Sequence, residues 1–120
     1  MKFQLINMAD YPRREAFERF YKMQCCYSLT IQLDITKIRN VIKERGIRIY
    51  PALIWILSKN ANSLKEFRMA LDEENRLGYW NIVHPLYTSM NEGSEVFSGI
   101  WAEYNDDFSV FYRNCIKDIE

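Results

Sequence analysis

The chain has 120 residues, 48% apolar and 15% aromatic, with 16 Lys and Arg matched by 16 Asp and Glu. That length suits one domain, the apolar share excludes intrinsic disorder, and zero net charge argues against a nucleic-acid module, which needs a basic excess to neutralise phosphates. A single His excludes a site built from two imidazoles of this chain.

The three cysteines, Cys25, Cys26 and Cys115, lack C-x-x-C spacing. They offer neither a disulfide framework nor a zinc site and point to a cytoplasmic protein. The first residues, Met1 to Asn7, are too short and polar a run for a signal peptide. The most apolar run, Ala52 to Leu57, is far below the roughly 20 residues of a membrane span, so no membrane partner is expected.

Phe3-Gln4-Leu5 reads as a short strand. Asp10 is placed to cap a helix running to about Met23, with Pro12 in its first turn and an apolar stripe of Ala16, Phe17, Phe20 and Tyr21. Tyr27, Leu29, Ile31 and Leu33 then alternate with Ser28, Thr30, Gln32 and Asp34. This is the clearest period-2 pattern in the chain and predicts a strand with one buried face. Asp34 is placed to cap the next helix, with stripe Ile35, Ile38, Val41 and Ile42 and a stop at Gly46. Ile47 to Tyr50 reads as an extended link, because Pro51 biases the residue before it. Pro51 opens a helix to about Ser63, apolar nearly all round at its start and expected to be buried.

Phe67–Leu71 and Arg76–Trp80 predict a hairpin across Asp72–Asn75, and Pro85–Met90 and Glu95–Trp101 a second across Asn91-Glu92-Gly93. A last helix starts near Asn105–Asp107, with stripe Phe108, Phe111, Tyr112, Cys115, Ile116 and Ile119 still running at Glu120. A stripe with no cap and no evident cover predicts a single, incomplete domain over residues 1–120, and self-association through that stripe. Mixed helices and hairpins make the class α+β.

Few residues carry chemistry. His84, before Pro85, reads as a partly exposed loop histidine rather than a general base, since no nucleophile elbow surrounds it. Cys25 and Cys26 read as small apolar residues entering a strand, with no neighbouring cation to activate a thiol. Arg13-Arg14 sit in a first helical turn, where the dipole disfavours cations, and so call for a carboxylate elsewhere or a solvated face. Asp72-Glu73-Glu74 reads as a solvated hairpin tip rather than a calcium loop. No phosphate loop, paired catalytic carboxylates or metal-ligand spacing is present, so no metal is expected.

Tyr11-Pro12-Arg13-Arg14-Glu15-Ala16-Phe17-Glu18, Leu33-Asp34-Ile35-Thr36, Tyr50-Pro51-Ala52, Glu66-Phe67-Arg68-Met69-Ala70, Tyr79-Trp80, His84-Pro85-Leu86-Tyr87-Thr88, Phe97-Ser98-Gly99-Ile100-Trp101 and Asp106-Asp107-Phe108 occur in this order. Together they resemble the N-terminal half of the chloramphenicol acetyltransferase family. The resemblance implies the family's two-layer α/β sandwich and its trimer, with each active site between two subunits. It implies chloramphenicol and the co-substrate acetyl-CoA as ligands, and transfer of the acetyl group to the 3-hydroxyl of the antibiotic. The family's catalytic His belongs to a His-His-x-x-x-Asp-Gly motif of its C-terminal half, and a later Ser steadies the oxyanion. Residues 1–120 contain no such motif, and His84 matches the family's His-Pro position instead.

By position, Phe20, Met23, Cys25, Thr88 and Phe97 fall where the family lines its chloramphenicol site. Arg13 falls where an Arg pairs with the Asp of the catalytic motif. The expectation is therefore an acetyltransferase fragment that is inactive alone. The alternative is a non-catalytic binding or interaction module derived from that enzyme. The wider coenzyme-A-dependent acyltransferase fold, shared with the core of 2-oxo-acid dehydrogenases, is a weaker third, because its members lack the Phe67-Arg68-Met69-Ala70 and Phe97-Ser98 stretches.

Overall fold

A computed structural model describes residues 1–90 and 92–119. In chain order it holds β1 (Phe3–Leu5), α1 (Arg14–Lys22), α2 (Thr36–Glu44), α3 (Ile49–Ser63), a 3-10 turn (Lys65–Arg68), β2 (Met69–Leu71), β3 (Leu77–Trp80), β4 (Leu86–Met90), β5 (Phe97–Trp101) and α4 (Phe108–Ile119). Helices and antiparallel sheets bear out the α+β class.

The first sheet has the order β1-β3-β2, all antiparallel, with Phe3 opposite Trp80 and Ala70 opposite Gly78. Gly78 lies between both neighbours, and a Cβ there would come within 2.5 Å of the Gln4 carbonyl oxygen and the Phe3 ring. The acidic turn before it is self-contained. The Asp72 carboxylate accepts the Glu74 and Arg76 backbone N–H at 2.9 and 2.8 Å, and Asn75 takes a left-handed φ of 60°. The loop after β3 is held by α3: Asn62 Nδ2 donates to the Val83 carbonyl and Val83 N–H donates to Asn62 Oδ1, each at 2.9 Å.

The second sheet is the β4–β5 hairpin, with Leu86 opposite Trp101, Thr88 opposite Gly99 and Met90 opposite Phe97. Asn91, at the start of its expected turn, lies outside the described residues. The inner face of the hairpin packs on helices. Tyr87, Ile54 of α3, Ala102, Phe111 and Cys115 form the core cluster, with Phe111 and Cys115 fully buried and Trp55, Ile100 and Ile119 around them. Asp107 caps α4 by accepting the Ser109 N–H at 2.8 Å.

This core corrects the expectation for the last helix. The α4 stripe is covered within the chain, by α3 and the hairpin, so it is not the exposed surface foreseen. Long-range packing of this kind leaves no local mark in a sequence.

The largest correction concerns residues 27–33, which form no strand. The segment is irregular, and Tyr27, Leu29, Ile31 and Leu33 are 91%, 79%, 67% and 74% exposed. Alternation encodes a strand, but a strand also needs a neighbouring backbone to pair with, and none of the described strands pairs with this one.

Helix ends explain the smaller differences. Asp10 accepts a bond from the Asn7 side chain at 2.9 Å, and α1 begins at Arg14 without a side-chain cap. It ends because Gln24 turns left-handed (φ 50°) while Cys25 N–H reaches back to the Phe20 carbonyl at 3.1 Å, a glycine-type stop without glycine. Asp34 accepts the Thr36 N–H at 3.0 Å from one residue before the α2 cap, which is Ile35 and makes no side-chain cap bond, and Gly46 (φ 65°) follows the end of α2 as the sequence predicts. The third helix starts at Ile49, so Ile49 and Tyr50 are helical rather than extended, and Leu57 is 70% exposed, so α3 is not buried all round.

The radius of gyration, 17.9 Å, exceeds the about 13.6 Å typical of a compact chain of this length. The accessible surface, 10049 Å², exceeds the about 6,900 Å² typical of a folded monomer of this mass. Many large apolar side chains are exposed, Tyr27, Leu29, Phe67 and Leu86 among them.

Candidate functional site

The β4–β5 ladder sorts side chains by the two-residue period. Tyr87 and Ile100 turn to the core. Leu86, Thr88 and Met90 of β4 and Phe97, Gly99 and Trp101 of β5 turn outward, and Leu86, Met90, Phe97 and Trp101 are each more than 60% exposed. Gly99 sits directly opposite Thr88, and a Cβ there would meet only Leu86 Cδ1, at 3.8 Å. Thr88 therefore lies beside a bare stretch of strand with Phe97 on one side and Trp101 on the other. Four residues of extended chain separate the two aromatics by about 13.6 Å, with Gly99 midway, room for a flat ring between them. The result is a trough with aromatic ends, thioether and aliphatic side chains on its rim, and one hydroxyl.

The trough is braced from below. Tyr50 of α3 donates its hydroxyl to the Thr88 carbonyl at 2.9 Å and meets the Tyr87 ring edge-on at 6.1 Å. Tyr87 reaches Asp118 at 3.4 Å, and burial first, then the adjacent Cys115 and Asp118, push its phenol far above the ordinary range. Burial also raises the Cys115 thiol, which is thereby kept protonated and unreactive. Tyr104 is pushed up to about 12 by burial and by its hydrogen bond to Asp106.

His84 is engaged structurally. Its Nδ1 accepts the Tyr104 N–H at 2.9 Å and its ring lies 5.9 Å from Trp101. Nδ1 is thus occupied as an acceptor, and His84 lies half-buried in the loop between β3 and β4.

The other expected wall residues lie at the end of α1. Phe20, Met23 and Cys25 are all exposed, Phe20 and Met23 at 52% and 66%, and the turn after α1 gathers them locally. Cys25 and Cys26 are thus not buried at the entry to a strand. Phe20 is not core either, since Phe17 faces β1 across a cavity shared with Leu5 and Leu77. Among the described residues no hydrogen bond or ring contact joins Phe20, Met23 or Cys25 to Thr88 or Phe97. The structure therefore unites Thr88 with Phe97, and Phe20 with Met23 and Cys25, as two separate groups. The sequence reading missed Leu86, Met90, Gly99 and Trp101, although their alternation with Tyr87 and Ile100 was the available signal.

Arg13 is exposed and forms no ion pair with a described residue, whereas its neighbour Arg14 pairs with Glu18 at 3.0 Å. Among the described residues no group of three His, Cys, Asp or Glu side chains is placed to hold a metal ion, and no helix is long and apolar enough to cross a membrane.

A solved structure of a chloramphenicol acetyltransferase superposes with a TM-score of 0.84 over 98% of this chain and 58% of its own, at 23% identity. The chloramphenicol acetyltransferase family profile matches residues 1–120. Chloramphenicol acetyltransferases of Clostridium perfringens and Staphylococcus aureus are 41% and 40% identical over 99% of the chain, and one of Bacillus pumilus is 42% identical over 92%. The chain belongs to the chloramphenicol acetyltransferase family. It spans about half the length of these relatives, 55%, 55% and 50% respectively.

Proposed function

We propose that residues 1–120 supply the antibiotic-facing wall of an enzyme that transfers the acetyl group of acetyl-CoA to the 3-hydroxyl of chloramphenicol in the cytoplasm, conferring resistance. The observation that carries this reading is the trough at Thr88, with Phe97 and Trp101 at its ends, in a chain about 40% identical to chloramphenicol acetyltransferases. A nitrophenyl ring suits the aromatic ends, and Thr88 offers one hydrogen bond. Phe20, Met23 and Cys25 form the second part of the wall, and closing the two parts on one ligand requires further protein, as in a trimer. Arg13, exposed and without an ion pair among the described residues, then meets a carboxylate outside them.

Acetyl transfer needs a base to take the hydroxyl proton. The one His of residues 1–120 is bound to Tyr104 N–H, so these residues alone do not catalyse the reaction. That engagement favours the second reading, a non-catalytic binding module, if no further chain joins. The test is acetylation of chloramphenicol by residues 1–120, alone and mixed with the remaining part of the Clostridium perfringens relative. Activity only in the mixture, lost with Phe97→Ser, supports the proposal. Activity of residues 1–120 alone that disappears with His84→Ala refutes it. Antibiotic binding with no activity in either case leaves the binding module.

A further inference from the structure

Residues 27–33, between α1 and α2, form no strand, yet nothing in their chemistry resists one. Tyr27, Leu29, Ile31 and Leu33 alternate with Ser28, Thr30 and Gln32, the two-residue period of a pleated strand. From Gln24 to Leu33 there is no Gly, no Pro and no charged side chain. A strand edge that stays in water is normally guarded by a charge, a Pro or a bulge, and this segment has no such guard. Its backbone is as open as its side chains. All seven residues are exposed, and among the described residues their N–H and C=O groups make no hydrogen bond. Both ends are nevertheless tied down. Cys25 N–H reaches the Phe20 carbonyl at 3.1 Å, and Asp34 accepts the Thr36 N–H at 3.0 Å. Drawn out straight, the segment spans about 23 Å.

We propose that residues 27–33 are a docking edge for the part of the family fold beyond residues 1–120, and that they become a strand when an extended segment of that part pairs with them. The unpaired backbone decides the kind of partner. A helix laid on the apolar side would cover Leu29 and Ile31 and leave the N–H and C=O groups unmet, whereas an added strand satisfies both. The relatives continue for nearly as long again, since this chain spans about half of each, and that continuation is the occupant. A second copy would offer only the same irregular segment, and two segments would have to be ordered at once. The pairing segment alternates apolar with small polar side chains, so that its apolar side continues the side of Leu29 and Ile31. The proposal rests on membership of the family and not on the acetyl-transfer reading.

The test is hydrogen exchange of residues 1–120, alone and co-expressed with the remaining part of the Clostridium perfringens relative. If that part is insoluble, the two are joined in one chain and the same amides are read. Alone, the amides of residues 27–33 should exchange at the pace of free chain, and in the complex at least about a hundredfold more slowly. Successive N–H groups of a strand point to opposite edges, so Thr30→Pro and Ile31→Pro between them strike whichever edge is used. At least one of the two should weaken the complex about tenfold or more, and Thr30→Ala under about threefold. Neither proline should lower the urea midpoint of residues 1–120 alone, where these N–H groups have no partner to lose. Free-chain exchange of residues 27–33 in the complex or the joined chain, or prolines that are both without effect there, overturns the proposal. Slow exchange in residues 1–120 alone that grows with concentration gives the edge to a second copy and overturns it as well.

Discussion

Residues 27–33 and helix α4 carry equally strong apolar patterns and meet opposite fates. The α4 stripe finds α3 and the hairpin, and Phe111 and Cys115 are fully buried there. The 27–33 pattern finds nothing, and its four apolar side chains stand in water. A pattern states which face wants burial. Whether it is buried depends on another element being present at the right place, so the two regions make opposite contributions to stability.

Truncation should separate them most sharply. Phe111→Ala is expected to cost about 3–5 kcal/mol, typical of a buried Phe, whereas Leu29→Ala or Ile31→Ala should change stability by under about 0.5 kcal/mol, as at exposed sites. Urea midpoints of the three variants measure this, and equal losses would mean that 27–33 is packed in solution.

If the exposed face is what binds other copies, self-association should follow it and not α4. Light scattering should show concentration-dependent oligomers that are lost with Leu29→Lys plus Ile31→Lys. An unchanged oligomer in that double variant would move the sticky surface to the Leu86, Met90, Phe97 and Trp101 face.

The packed region should also set the alkaline limit. Tyr104 has a folded pKa raised to about 12 from 10.0, so the folded state favours the neutral phenol. Its contribution is complete below pH 10 and is lost as pH rises from 10 towards 12. Stability should fall through that window, and less steeply in Tyr104→Phe. On the acid side Asp34 and Asp72 are lowered by the hydrogen bonds they accept, from Thr36 and Arg76 respectively. Their contribution is complete above their ordinary value of 3.8 and is lost as pH falls below it. Asp34→Asn and Asp72→Asn should flatten the acid limb of a pH-stability profile.

The smallest effect is expected at Arg13. Exposed in this chain, Arg13→Ala should shift the midpoint by under about 0.5 kcal/mol. The same change in a chain joined to the rest of the family fold should cost about 3–5 kcal/mol if a buried carboxylate pairs with it there. Equal losses in the two contexts would place its partner inside residues 1–120.

Where the deciding interaction was local, the sequence carried it. Asp34 and Gly46 bracket α2, although the cap itself is Ile35, and the Asp72–Asn75 turn closes on its own carboxylate. The second hairpin lies where its bounds place it, whereas its register, which sets Thr88 and Phe97 on one face, came only with the structure. Where the interaction spans the chain, the sequence was silent. Nothing near Phe111 announces Tyr87 as its cover, and no glycine marks the left-handed Gln24 that ends α1. The wall residues were reachable only through resemblance, because exposed aromatics such as Phe20 and Phe97 look like core in a one-dimensional pattern.

The pairing of Asn62 with Val83 has a consequence in time. Its two reciprocal bonds give a loop residue the same closed ring of donors and acceptors that a neighbouring strand provides. The Val83 amide proton should therefore exchange with deuterium at the slow pace of the β3 ladder, although it sits outside every sheet. Asn62→Ala should release it to the pace of free chain.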